Sequence, residues 1–415
     1  MIIKNFKHLA TTKTRKDALE IINSGIEAVL TKPAMHKHIK LNKNNLQIYD
    51  NIWNISKFNK ILVIGAGKAA GDMASAIEEI LGNKISKGIV IDTQKRILSK
   101  IKVIEGTHPL LSEINIEATN EIIGILKESN KDLIINLISG GGSALLESPR
   151  IPLKKYLDIT KRLLKSGATI QEINTIRKHL SFVKGGQLAK LASKSTIITL
   201  IMSDVITNDL HVIASGPTVR DITALEDVKL IQKKYHLPKF SFVETPKKQI
   251  NNVTNILLIT NIPAAEAMKA KAKSLGYNSK ILTTQLKGEA KVIGKKLATL
   301  IKPKIAIIAT GETTVTVKGN GKGGRNQELA LSASQFIKKG VIVSCSSDGV
   351  DFITDSAGGI VDENTKIEAK KKEINIQNYL NNNNSYNALR KLNSIIITGK
   401  TGTNVADLIL ALGDK

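Results

Sequence analysis

Clusters of glycine, small hydroxyl and acidic residues follow one apolar run after another in this sequence. The first half contains GAGKAAG at 65–71, SGGGS at 139–143 and SDVITND at 203–209. The second half contains GET at 311–313 and GNGKGGRNQE at 319–328. A structural turn needs a single glycine or asparagine, so clusters repeated at strand after strand indicate a binding site. In α/β folds, ligands bind beyond the carboxyl ends of the strands, where these clusters are expected.

The two glycine-rich clusters of the first half favour an anionic ligand. Gly65 and Gly67 would let the backbone approach a phosphate at a helix N-terminus, and Lys68 within that turn adds a cation. The consecutive glycines of SGGGS would expose successive N–H groups as an anion-binding nest, and the flanking serines add hydroxyl donors. Both clusters therefore predict contacts to phosphate or carboxylate oxygens.

Three acidic residues and one arginine complete the candidate set. Asp204 and Asp209 follow a predicted strand, where they could hold Mg²⁺, accept a hydroxyl proton or cap a helix. Asp348 begins an acidic loop that lacks the closing glutamate of a calcium site. Arg325 stands among glycines just before a predicted helix, where its planar fork can bind a carboxylate or a phosphate.

The first cluster also fits a competing interpretation, a dinucleotide site. Asp92 ends the second predicted strand, 21 residues beyond Gly71, about where an acid that binds the ribose belongs. An NAD(P)-dependent hydroxypyruvate reductase or 2-hydroxy acid dehydrogenase is therefore the alternative function. The third glycine comes one residue late, however, and Lys68 favours direct contact with an anion. His108 and His179 lack partners at metal-ligand spacing and are expected to form local hydrogen bonds.

Short runs rich in Ile and Val, alternating with helical patterns, predict the elements that position these residues. Runs that are apolar on both faces are typical of parallel strands covered by helices on both sides. The predicted strands are Ile61–Ile64, Gly88–Ile91, Ile101–Ile104, Leu133–Ile138, Thr196–Met202, Asn255–Thr260, Ile305–Ala309, Val341–Cys345 and Ser394–Thr398.

This alternation predicts a two-domain α/β protein. Residues 1–245 are expected to form a Rossmann-like domain with a doubly wound, mostly parallel sheet. Residues 246–415 are expected to form a smaller α/β domain, because the polar, proline-containing stretch 236–253 marks a boundary. Strand ends of both domains carry the clusters, so the active site is expected in the cleft between the domains.

Composition excludes several classes of protein. The net charge of +25 comes from scattered lysines, and aromatic residues make up 3%, which argues against a nucleic-acid-binding surface. The asparagine run 381–384 is interpreted as part of a general compositional bias. Cys345, the single cysteine, is expected to be a buried strand residue. The N-terminus lacks an apolar signal region and no run is long enough to span a membrane, so we expect a cytoplasmic protein.

Taken together, the segments of residues 15–410 resemble the glycerate 2-kinase family, once assigned as hydroxypyruvate reductases. The segments that carry the resemblance are IGAGKAA (64–70), GTHP (106–109), SGGGSALL (139–146), GATIQEINTIRKHLSFVKGGQLA (167–189), SDVITNDLHVIASGPT (203–218), GET (311–313), GKGGRNQELAL (321–331), SSDGVDFITDSAGGIVD (346–362) and TGTNVADL (401–408).

The resemblance implies ATP-dependent phosphorylation of D-glycerate at its 2-hydroxyl, with Mg²⁺ as cofactor. We expect the enzyme to be a monomer or a homodimer. Within that activity, we expect catalytic roles for Lys68, Arg325 and Asp204, and metal ligands among Asp204, Asp209 and Asp348. The substrate- or nucleotide-binding residues that we expect are Gly65, Gly67, Ser139, Gly140, Gly141, Gly142, Ser143, Gly311, Glu312, Gly323, Gly324, Asn326 and Asn404. The chain departs from the family pattern at Leu111, Ser112, Asn208, Asn384 and Lys400.

Overall fold

The computed structural model describes residues 1–352 and 355–415, so two residues of the 346–362 segment lie outside the description. The chain forms two compact units. One contains Thr31–Leu258, and the other contains Met1–Leu30 together with Ile259–Lys415. No helix among the described residues is long and apolar enough to cross a membrane.

The strands are β1 (Ile39–Asn42), β2 (Asn45–Ile48), β3 (Asn51–Asn54), β4 (Ile61–Ala66), β5 (Ile85–Asp92), β6 (Ile101–Glu105), β7 (Leu133–Ile138), β8 (Thr196–Met202), β9 (Val253–Ile259), β10 (Asn278–Leu286), β11 (Ile305–Gly311), β12 (Val341–Ser346), β13 (Gly358–Asp362), β14 (Ile395–Ile396) and β15 (Asp407–Leu412). The helices are α1 (Phe6–Leu9), α2 (Lys13–Ala28), α3 (Thr31–His38), α4 (Ala70–Leu81), α5 (Glu113–Glu128), α6 (Gly142–Leu145), α7 (Leu153–Lys165), α8 (Ile170–Leu180), α9 (Gln187–Leu191), α10 (Leu225–Lys234), α11 (Asn261–Ser274), α12 (Ala290–Thr299), α13 (Arg325–Ala333), α14 (Glu363–Lys371), α15 (Ile376–Asn381) and α16 (Ser385–Lys391).

The unit 31–258 is built on a six-stranded sheet in the order β6-β5-β4-β7-β8-β9, and its pairs from β6 through β8 are parallel. Every residue of β4 and β7 is buried, as expected for strands covered on both faces. The predicted doubly wound parallel sheet is therefore confirmed. A small antiparallel sheet of β1, β2 and β3 was not predicted, because its four-residue strands are polar and lack a sustained apolar run.

The second unit is built on a mixed sheet in the order β10-β11-β15-β12-β13-β14. Only β10 and β11 pair in parallel among its described strands, which differs from the parallel arrangement expected from the apolar runs. A strand that is buried on both faces is apolar throughout, whether its neighbours are parallel or antiparallel. The apolar runs therefore could not predict the direction of the strands. Cys345 in β12 is fully buried, and burial raises the pKa of its thiol, so the expected buried strand cysteine is confirmed.

The division of the chain differs from the predicted domains 1–245 and 246–415 at both ends. Helix α2 packs on β12, β15 and α11, so the first 30 residues belong to the unit that contains the C-terminus. A buried ion pair between Arg15 and Asp362, with 3.0 Å between Nη1 and Oδ2, fixes α2 there. The boundary falls after Leu258 because β9 completes the first sheet. Sequence reasoning missed both points, because a polar stretch marks a loop but not where the chain changes units.

Candidate active site

The turn after β4 and the loop after β7 are bonded to each other at the carboxyl edge of the parallel sheet. The Lys68 N–H donates to the Gly140 carbonyl at 2.8 Å, and the Ala69 N–H donates to the Ser139 hydroxyl at 3.0 Å. Gly67 has a φ of +143°, and a Cβ there would collide with Ser139. The glycine at this position therefore allows the two loops to approach, and they act as one structure.

The Gly141 backbone brings a third strand end into the same place. Gly141 has a φ of +83°, and a Cβ added there would lie 3.1 Å from His108 Cδ2 and 3.2 Å from Lys68 Cγ. The ends of β4, β6 and β7 thus meet at this glycine. Partial burial and the Lys68 cation lower the pKa of His108 to about 4, so its imidazole is neutral at neutral pH.

A cavity of about 200 Å³ lies beside this loop. Its lining comprises residues 139–143, Ile170, Asn174 and Arg177 of α8, the Asp204–Val205 turn after β8, and Val212–Ala214. Ser143 Oγ and Ser215 Oγ are 3.2 Å apart on this side of the loop. Among the hydrogen bonds of the described residues, the amides of Gly140, Gly141 and Ser143 have no acceptor. The cavity therefore combines small volume with N–H donors that an anion can use.

A buried network lies behind the loop. Lys184 is fully buried, and its Nζ donates to the carbonyls of Ser143 at 2.8 Å and Leu146 at 3.0 Å. Its distance to Glu147 Oε2 is longer, 3.6 Å, and that oxygen also accepts the Tyr156 hydroxyl at 2.6 Å. Lys184 thus holds the short helix α6 by its C-terminal carbonyls. Sequence reasoning missed this lysine, because nothing in a lysine-rich sequence distinguishes a buried one.

The carboxylates expected to hold a metal are in different settings. Asp204 lines the cavity, whereas Asp209 accepts the His211 N–H at 2.8 Å and closes a turn. Asn208, one of the departures from the family pattern, has a φ of +52°, which asparagine tolerates better than most residues. No group of three His, Cys, Asp or Glu side chains in the described part of the chain could hold a metal. Asp204 is the candidate that the structure places at the cavity.

The carboxylate expected to bind a ribose in a dinucleotide site accepts hydrogen bonds from the backbone instead. Asp92 is fully buried and accepts the Gly71 N–H at 2.7 Å and the Gln94 N–H at 3.1 Å. Burial raises the pKa of this carboxyl despite those bonds. Asp92 therefore caps the N-terminus of α4 and is not placed to bind a ribose.

In the second unit, Arg325 begins α13 and is held by two carboxylates. Its Nε and Nη2 donate to Asp407 at 2.6 and 3.0 Å, and its Nη1 lies 2.8 Å from Glu312 Oε1. Burial disfavours the charged form, but the two carboxylates outweigh it and raise the pKa of Arg325. Asp407 pairs with Gly311 of β11 and Ser346 of β12, because β15 runs antiparallel to both and begins where they end. Sequence reasoning missed Asp407, although an acid that opens an apolar run is a signal.

Asp351 caps the first turn of α13. Its Oδ1 accepts the Asn326 N–H at 3.2 Å and its Oδ2 accepts the Gln327 N–H at 2.9 Å. Burial and the neighbouring charge of Asp407 raise the pKa of Asp351 to about 7. Gly324 packs so closely on Asp351 that a Cβ would collide with it. The geometry of Gly324 and of the Asn326 amide is therefore that of a helix cap.

The glycine-rich loop before α13 is held by hydrogen bonds to the asparagine run, a role that the sequence analysis did not predict. The side-chain oxygens of Asn382, Asn383 and Asn384 accept N–H groups from residues 318–320 and 322 at 2.7–3.1 Å. Asn384, another departure from the family pattern, is thus an acceptor for this loop. A Cβ at Gly323 would collide with the Ser385 hydroxyl. Close packing therefore explains these glycines.

The last two predicted residues lie in loops at the same edge of the second sheet. Asp348 accepts the Ser346 hydroxyl at 2.7 Å and the Val350 N–H at 2.9 Å. Asn404 is buried in the loop that leads into β15. The ligand roles of all these residues, and a single site formed by both domains, stay predictions.

Comparison with known proteins identifies the family. Residues 17–246 match the model described as a domain of unknown function (DUF4147), and residues 305–407 match the MOFRL family. The glycerate 2-kinase of Pyrococcus horikoshii is 39% identical, over 96% of this chain and 97% of that protein. The D-glycerate 2-kinase of Thermotoga maritima is 40% identical, over 96% and 98%. A crystal structure of glycerate kinase from Thermotoga maritima has a TM-score of 0.87 at 38% identity, and covers 96% of this chain and 99% of that one. The chain therefore belongs to the glycerate 2-kinase family.

Proposed function

We propose that this protein transfers the γ-phosphoryl group of ATP to the 2-hydroxyl of D-glycerate, giving 2-phosphoglycerate and ADP. The observation that carries the proposal is the cavity of about 200 Å³ at 139–143, which is lined by the glycines with unused backbone amides and by Asp204, with Lys68 packed against Gly141 of the same loop. That volume suits a small anion such as glycerate. Phosphoryl transfer depends mainly on positioning and charge stabilisation, which such groups supply.

In the first unit, the proposed roles follow from the chemistry of each group. The amides of Gly140, Gly141 and Ser143 hydrogen-bond the oxygens of the bound anion. Lys68 adds a cation at the same loop and offsets negative charge that develops during transfer. Asp204 accepts the proton of the attacking hydroxyl or contributes to metal binding.

Arg325 is the proposed cation of the second unit. Asp407 and Glu312 hold its guanidinium in a defined plane, which fixes the direction in which the remaining N–H donors point. Such a preorganised fork can bind phosphoryl or carboxylate oxygens without reorganising during the reaction.

Mg²⁺ is the proposed cofactor, and the residues present fit a metal that is held mainly by its substrate. Mg²⁺ in such enzymes takes one or two carboxylates together with phosphate oxygens and water. Asp204 at the cavity provides one such carboxylate. When bound with ATP, the metal would neutralise charge on the phosphates.

A coupled assay of ADP release tests the proposed function. Purified protein should release ADP only when both ATP and D-glycerate are present, and excess chelator should abolish the activity. L-Glycerate serves as the control for the configuration at the reacting carbon. Consumption of NADH with hydroxypyruvate, without ADP release, would instead establish the dehydrogenase, although the backbone bonds of Asp92 argue against it.

A further inference from the structure

Arg177 is a cation of the cavity wall that the described structure leaves without a counter-ion. It lies on α8 and lines the same cavity as the loop 139–143 and Asp204. Its Nε is buried and has no hydrogen-bond partner, and the described residues give it no ion pair. A buried guanidinium N–H without a protein acceptor is unfavourable unless a ligand accepts it.

Other buried or partly buried basic side chains of this unit, in contrast, have hydrogen-bond or ion-pair partners. Lys184 is held by Glu147 and two carbonyls, and Lys178 forms a buried ion pair with Asp221 at 3.1 Å. Arg150 donates to Gln187 at 2.7 Å. Of the side chains that line the cavity, Arg177 is the cation and Asp204 is the carboxylate. Arg177 is therefore the side chain of this lining that can pair with an anionic group of a ligand.

We propose that Arg177 binds the carboxylate of the substrate in this cavity. This inference rests on the proposed function and adds a residue that defines substrate specificity. A guanidinium binds a carboxylate through parallel N–H donors, and the amides of Gly140 and Gly141 line the cavity with it. The terminal phosphate of the nucleotide is also an oxyanion that a guanidinium can bind. The experiment therefore distinguishes the carboxylate of glycerate from the phosphate of ATP as the ligand of Arg177.

Arg177→Gln and Arg177→Lys test the assignment through both substrates. Loss of a hydrogen bond to a charged group corresponds to about a 10- to 100-fold change. We expect Arg177→Gln to raise the KM for D-glycerate by about that factor while the KM for ATP changes less than about threefold. Arg177→Lys should restore only part of the loss, because an ammonium cannot reproduce the planar fork. Arg162→Gln is the matched control, since it removes an exposed arginine of α7 that pairs with Asp158 on the same helix.

Two results would overturn the assignment. A rise in the KM for ATP alone would assign Arg177 to the nucleotide, and unchanged KM values for both substrates would exclude it from the site. The melting temperature distinguishes a role in ligand binding from a structural role. Removing an unpaired cation should not lower the melting temperature, whereas removing an arginine that stabilises the fold should lower it.

Calorimetry distinguishes failure of this inference from failure of the proposed function. If the wild-type protein has no kinase activity, the proposed function fails, but D-glycerate and inorganic phosphate can still be titrated into both proteins. Weaker binding of either probe to Arg177→Gln than to wild type would support an anion-binding Arg177. Binding of equal strength to both proteins would overturn it.

Discussion

Replacing Lys184 with methionine tests how the loop at the cavity is held in place. The substitution keeps the length and apolar stem of the side chain but removes its ammonium. Two carbonyl oxygens, of Ser143 and Leu146, then lose a donor at 2.8 and 3.0 Å, and Glu147 loses its cation. Because Ser143 belongs to the loop with the unused amides, the change should affect ligand binding as well as stability.

The size of the effect follows from the burial of these groups. Removing one partner of a buried ion pair destabilises a protein by about 3–5 kcal/mol. A domain of this size loses about 2–4 °C in melting temperature for each kcal/mol, so we expect a decrease of roughly 6–20 °C. A displacement of the loop by about 1 Å should in addition lower kcat/KM by about 100-fold.

Two further variants separate the carbonyl contacts from the ion pair. Glu147→Gln keeps Lys184 on both carbonyls, so kcat/KM should stay within about threefold of wild type. The double variant Lys184→Met with Glu147→Gln leaves no unpaired charge. It should regain about 2 kcal/mol of the lost stability, because a neutral replacement of a buried pair is often tolerated. Its activity should stay low, because both carbonyls still lack a donor.

Lys178→Met is the matched control, since Lys178 forms a buried pair with Asp221 in the same unit. It should destabilise the protein to a similar degree and leave kcat/KM nearly unchanged. Stability is measured by thermal unfolding, and kcat/KM at a temperature where every variant is folded. Recovery of wild-type activity in the double variant, or an equal loss of activity in Lys178→Met, would refute the positioning role of Lys184.

Three further predictions follow from single residues. Gly141→Ala should lower kcat/KM at least about tenfold, because the added Cβ would crowd His108 and Lys68. The control is Gly167→Ala, which is also at a positive φ but has open space around it, and it should affect only thermal stability. Arg325→Lys should lower both kcat/KM, by about 10- to 100-fold, and the melting temperature, because an ammonium cannot replace the fork on Asp407; near-full activity would exclude the proposed role. Asp351 has its pKa raised to about 7 above an ordinary value near 4, so its contribution to stability is present below about pH 4 and is lost as the pH rises to about 7. Unfolding curves at pH 4.5 and 7.5 should therefore differ less in Asp351→Asn than in wild type, and an equal difference would contradict the assigned pKa.

The parallel sheet could be predicted from the sequence because buried parallel strands leave a strong signal. Leu133–Ile138 and Thr196–Met202 were predicted with the bounds that the structure has, since each is a continuous apolar run between polar turns. In contrast, β10 has many exposed polar residues and β13 begins with two glycines, so neither has such a run. Strand β15 was not among the predicted strands, and its antiparallel direction is seen only from its pairing with β11 and β12.

At the candidate site, the sequence indicated the loops but not the side chains that support them. Glycine clusters are visible because close packing excludes a Cβ, as at Gly67. The roles of Lys184 and Asp407 depend on burial and on partners that are distant in sequence, Ser143 for one and Arg325 for the other. The role of Asn383 was missed, because its bonds to the glycine-rich loop exist only in the folded chain.

Phosphorus NMR of the reaction product tests the central proposal most directly. The purified protein is incubated with ATP, Mg²⁺ and D-glycerate, and the new phosphate ester is identified by its coupling to the neighbouring protons. A single proton couples to the phosphorus of 2-phosphoglycerate, whereas a methylene group couples in 3-phosphoglycerate. The proposal predicts 2-phosphoglycerate, formed in proportion to ADP. Exclusive formation of 3-phosphoglycerate, or no phosphate ester at all, would contradict it.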